Sequence, residues 1–167
     1  YCGNGLRKIA ANKAGTERTF NVLKRYIFWT KAAVFFQFLS AGLHSISFFV
    51  SPDLKNDTER QLHELITTYH PEMGAGFHPS FWNLFTALSA CFPLLCLLGG
   101  LTLGYLLWKK ASPSLMKGIL AINVLIFGVT FVVMALFTFP PPIIVTGLIF
   151  VTLSIAYILT PRIESVI

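Results

Sequence analysis

The side chains best suited to chemistry lie along one helical line. Gln37, Ser40, His44, Ser47 and Ser51 recur at alternating spacings of three and four, inside an otherwise apolar run. At helical rise, His44 sits about 9 Å inside the outer end of that run. A polar stripe at such depth must face a helix, a partner or a hydrated cavity rather than lipid. Two uses follow. One is hydrogen bonding between helices, with Thr86 or Ser89 at similar depth on the next apolar run. The other is a site for a lipid-soluble ligand, where His44 gives or takes a hydrogen bond and Gln37, Trp82, Asn83 and Thr86 line the pocket.

The remaining histidines, His63, His70 and His78, share a polar stretch with Glu64 and Glu72. Zinc accepts such ligands, but the spacing forms no compact ligand motif, and no metal site or cofactor is expected. Glycine-rich nucleotide loops, nucleophile elbows and HExxH helices are absent from the sequence. Cys91 and Cys96 are about 140° apart on one expected helix, too far round to bridge, and Cys2 stands far upstream. No acid–base pair or nucleophile is evident, so catalysis is not expected.

The elements that position these residues are set by apolar runs. From Gly118 to Pro161 there is no acidic, basic or histidine side chain. As one helix that stretch would measure about 66 Å, whereas a bilayer core is about 30 Å thick. Two crossings are required, with a reversal expected at Pro140, Pro141 and Pro142. Two further runs precede them, giving expected spans at about 28–50, 81–108, 115–139 and 141–160. The 167 residues are 54% hydrophobic and 12% charged, with a mean hydropathy of +0.68, which excludes an ordinary water-soluble globule. No cleavable signal peptide is evident before the first run.

Charge orients the spans. Arg7, Lys8, Lys13, Arg18, Lys24, Arg25, Lys31, Lys109, Lys110, Lys117 and Arg162 fall on one side, against Lys55 and Arg60 on the other. Basic residues stay in the cytoplasm, so both termini are expected there. Trp29 and Trp108 mark the inner boundary and Trp82 the outer one. The net charge of +6 therefore reads as topology, and nucleic acid is not an expected partner. The expectation is all-α: an integral membrane four-helix bundle, up-down-up-down. A basic cytoplasmic segment, 1–27, precedes the 28–160 bundle, and a short cytoplasmic tail, 161–167, follows it. Leu6 to Arg25 is expected to rest on the anionic inner leaflet.

The connection 51–80 should lie outside. Within it, Asn56 and Glu59 stand at capping-box spacing. Leu62, Leu65, Ile66 and Tyr69 share one face, predicting a short amphipathic helix over about 57–69 that covers the bundle. Helix packing is expected at Gly100 and Gly104, a GxxxG pair, and at Asn123, while Pro93 should kink the second span.

The segments GFHPSFWNLFTALSACFPLLCLLGGLTLG and FTFPPPIIVTGLIF resemble a family of small uncharacterised four-span bacterial membrane proteins. More remotely, size and span number are similar to DoxX-like proteins, some of which accompany quinone-linked redox systems. The first resemblance implies a bacterial inner-membrane location; neither supplies a catalytic residue. Two functions are expected from the residues. The first is a non-enzymatic accessory or assembly subunit, partnered by lipid and by other subunits or copies of itself. The second is a binding or redox-linked protein for a molecule such as a quinone, with His44 at its site.

Overall fold

The structure, a computed structural model, describes the backbone of residues 3–161 and the side chains of residues 24–161. The basic side chains Arg7, Lys8, Lys13, Arg18 and Arg162, with Cys2, lie outside the described residues. Five α-helices and one short 3-10 turn make up the fold, with no strand among the described residues: α1 (Gly3–Ile46), α2 (Asp57–Thr68), α3 (Phe81–Trp108), α4 (Pro113–Phe137) and α5 (Pro140–Leu159). Among the described residues, four helical stretches are long and apolar enough to cross a membrane: Lys24–Phe49, Phe81–Trp108, Pro113–Phe137 and Pro140–Leu159. They are compatible with a helical bundle in a membrane.

The helix ends explain themselves locally. No proline occurs before Pro52, so α1 runs unbroken through the basic segment and the first apolar run. Pro52 bars helical geometry at Ser51. The chain accordingly tightens to a 3-10 turn at Ser47–Phe49 and leaves it extended at Val50. Ser51 therefore falls off the helix, and the polar stripe ends earlier than its spacing predicts.

α3 continues through Pro93 and closes with a Schellman motif. Ala111 N–H bonds Leu106 O (3.0 Å) and Lys110 N–H bonds Leu107 O (3.1 Å), with Lys110 left-handed at φ 50°. Ser112 then caps α4, accepting from Leu115 N–H, and Pro113 fills the first turn. The three prolines do not make the reversal. They form the first turn of α5, where no N–H is needed, and the chain turns at Thr138 and Phe139 instead.

Two compact units divide the chain, Tyr1–Gln37 with Gly99–Ile167, and Phe38–Leu98. In the first, α4 and α5 run in opposite directions. Lys117 Nζ donates to Thr160 O (2.8 Å), a carbonyl at the end of α5 that the helix leaves without a donor. Further along, Phe150 lies over Gly128 and Phe131 over Gly147; the two rings are stacked 6.1 Å apart. Each glycine makes room for the other helix's ring. Met116, Leu120, Phe127, Ile149 and Leu153 form the buried interior of this unit.

In the second unit, α2 is capped by Asn56, whose side chain accepts from Glu59 N–H (2.8 Å) and donates to Glu59 Oε1 (3.0 Å). Lys55 N–H adds a bond to Glu59 Oε2 (2.7 Å). The expected apolar face is largely uncovered: Leu62 and Leu65 are 58% and 60% exposed, and Tyr69, just past the helix end, stacks on Phe81 at 6.1 Å while 53% exposed. Glu59, His63, Ile66 and Thr67 form the half-buried face instead. His63 turns inward because its ring meets Trp82 edge-on at 5.4 Å.

Candidate functional site

Polar chemistry inside the apolar helices gathers at two places, one in each unit. In the second unit, His44 Nε2 and Ser89 Oγ share a hydrogen bond of 2.9 Å. Phe48 and Phe92 stand edge-on to the imidazole at 5.5 and 5.3 Å. One helical turn closer to mid-span, Ser40 and Cys96 are both buried. Pro93 lacks the N–H that would have bonded the Ser89 carbonyl, so the turn opposite His44 is missing one rung of its ladder. His44 Nδ1 has no hydrogen-bond partner among the described residues, and the ring is half-buried. An imidazole so held can still offer one nitrogen to a ligand.

The first unit holds the other cluster. Gln37 is fully buried, and its Nε2 donates to Asn123 Oδ1 at 3.4 Å. Asn123 Nδ2 in turn donates to Ile119 O (2.9 Å). Gln37 Oε1 is buried with no partner among the described residues. The amide pair fits only because Gly99 lies beside it. A Cβ there would stand 2.6 Å from Gln37 Nε2, 2.9 Å from Asn123 Oδ1 and 3.2 Å from Phe127.

The residues expected to line a ligand pocket with His44 are placed differently from one another. Gln37 belongs to the first unit and is engaged with Asn123. Trp82 is taken by His63. Asn83 and Thr86 are exposed, and neither bonds His44, whose partner is Ser89. Of the expected packing residues, Asn123 is engaged and Gly100 is buried. Gly104 has only an ordinary contact, with Val34 at 3.9 Å. The tight glycine is Gly99, adjacent to the pattern, along with Gly128 and Gly147. A signal for the last two is present in the sequence: Gly-x-x-Phe occurs in α4 as Gly128 to Phe131 and again in α5 as Gly147 to Phe150.

Two of the loop histidines are similarly occupied, His63 by Trp82 and His70 by a backbone carbonyl. His70 Nδ1 donates to His78 O at 2.7 Å. Among the described residues, no three of His, Cys, Asp and Glu converge on a point that could hold a metal ion. The hydroxyls of Thr130, Thr146, Thr152, Ser154 and Thr160 bond back to carbonyls of their own helices, which lets them sit in an apolar setting. No family model, no curated protein and no solved structure matches the chain. The likeness to four-span bacterial proteins and to DoxX-like proteins draws no support from these comparisons.

Proposed function

We propose that this chain is a non-enzymatic integral membrane protein that serves as an accessory or assembly subunit of a membrane complex. The observation that carries this reading is the outward face of α2. Leu62 and Leu65 are exposed on a helix too short and too polar to span, where a partner subunit can cover them. The internal pairing of Gln37 with Asn123 and of His44 with Ser89 agrees with a structural role for those side chains.

In the arrangement we favour, the four apolar helices run up-down-up-down with both termini in the cytoplasm, α2 lies outside, and the membrane is the bacterial inner one. The grouping of Lys31, Lys109, Lys110 and Lys117, and the opposed directions of α4 and α5, support that orientation. Extraction in native lipid, followed by mass spectrometry of what co-purifies, tests the function. A stoichiometric membrane partner should be recovered with the native chain and lost with Leu62→Glu and Leu65→Glu together. Recovery of the chain alone would count against the reading.

A second reading has its own observation. The imidazole of His44, whose Nδ1 has no hydrogen-bond partner among the described residues, has the rings of Phe48 and Phe92 edge-on to it, a setting suited to the carbonyl of a quinone-like planar molecule. Replacing His44 with Phe should then weaken binding of a short-chain quinone by about tenfold, the worth of one hydrogen bond to a ligand. Unchanged affinity would dispose of it.

A further inference from the structure

The end of the first unit that gathers lysines also contains a cavity of about 400 Å³. Tyr26, Ile27 and Lys31 of α1 form one wall, and Leu106, Leu107 and Lys110 at the end of α3 form another; Met116 of α4 closes it. The volume suits a small ligand or a headgroup with its first methylenes. Its lining combines two lysines with mostly apolar residues. No carboxylate is among the lining residues, and neither lysine has an ion-pair partner among the described residues.

Lys110 adds a second, independent observation. It occupies the left-handed position of the α3 terminus, where glycine would fit without steric cost. A lysine there places a cationic side chain among the residues that line the cavity. Its neighbour Lys109 is used otherwise, with Nζ over the rings of Trp108 (4.8 Å) and Tyr105 (5.8 Å). Paired cations above an aliphatic wall, at the end of membrane-crossing helices, match the chemistry of one class of molecule. Basic pockets between spanning helices at the cytoplasmic face hold the phosphates of anionic lipids.

We propose that this cavity binds an anionic phospholipid, with its phosphate at Lys31 and Lys110 and an acyl chain along Ile27, Leu106 and Leu107. The site is independent of any partner subunit and of the His44 region.

The test uses the full chain purified in neutral detergent and equilibrated with equal amounts of phosphatidylglycerol and phosphatidylcholine. Retained lipid is counted by native mass spectrometry. The native chain should prefer phosphatidylglycerol by about tenfold or more, since each basic residue near an anionic membrane surface strengthens the attraction about fivefold. Lys31→Gln with Lys110→Gln should bring that preference close to parity, whereas the two arginine substitutions should keep it. Lys110→Gly removes the ammonium and relieves the left-handed backbone, so it should fold well and still lose most of the preference.

Lys109→Gln should retain the preference. An equal loss there would mean diffuse attraction to charge rather than a site, and would overturn the proposal. So would an absence of preference in the native chain, or a Lys110→Gly chain that binds like the native one. Displacement of the lipid by a large excess of inorganic phosphate, as complete as that by added phosphatidylglycerol, would show a free-anion site and overturn it as well.

Discussion

At the scale of single residues, the spans are governed by how little room surrounds their polar groups. The Gln37 carboxamide is the end of a flexible side chain, and such an end usually yields to a new methyl group. Here it is fully buried and tied to Asn123, so it has nowhere to go. Gly99→Ala should therefore destabilise the chain by about 1–3 kcal/mol, the usual cost of overpacking. Gly104→Ala, facing Val34 at 3.9 Å, should change stability by less than about 0.5 kcal/mol. Equilibrium unfolding in mixed detergent micelles measures both. Shortening Gln37 to Ala should reduce the cost of Gly99→Ala, because the two side chains compete for one space. A similar measurement on Ser89→Ala should show a loss of about 0.6 kcal/mol, typical of a hydrogen bond between membrane helices. Spacing alone left Thr86 and Ser89 as alternative partners for His44, and the structure pairs it with Ser89. Gly99 was not legible, because spacing tells which residues share a face and is silent about what stands opposite.

Elements show the same division between what a pattern carries and what packing decides. Run length and charge were enough to find the four apolar helices. They misplaced the last reversal, since proline stops a helix from within but is welcome in its first turn. The α2 region illustrates the point with its rotation. Apolar spacing marked Leu62, Leu65, Ile66 and Tyr69 as the inward face, yet only Ile66 is half-buried, because the contact of His63 with Trp82 turns the neighbouring face inward. The start of α2 depends on its cap. Asn56→Ala removes both bonds to Glu59 and should cost about 1 kcal/mol of local helix stability. Faster amide exchange confined to the first turn, with α3 unaffected, is the expected readout. Between α4 and α5, Gly128→Val would meet Phe150, whose ring already lies 3.0 Å from the position of a Cβ. A loss of about 1–3 kcal/mol is expected on unfolding, and the reciprocal change at Gly147 should behave alike.

For the whole molecule, the distribution of lysine and arginine is the governing quantity. In the orientation we propose, eleven basic residues fall on one side and two on the other, a bias that would make the inverse far costlier. Cysteine placed at Asp57 should react with a membrane-impermeant maleimide from outside the cell, and cysteine placed at Lys110 only after permeabilisation. Equal labelling of the two positions would overturn the arrangement. Fold class was readable because hydrocarbon punishes exposed charge and backbone over tens of residues at a time. A function is harder to read, since a few side chains such as His44 or Lys31 determine it, and each also has an ordinary use in packing or topology. One consequence of the glycine–phenylalanine clasp reaches back to synthesis. Two greasy rods joined by Thr138 and Phe139 cannot settle until the ring of Phe150 has emerged to seat on Gly128. The later helix thus latches the earlier one, and the packing of α4 is complete only once α5 has been made.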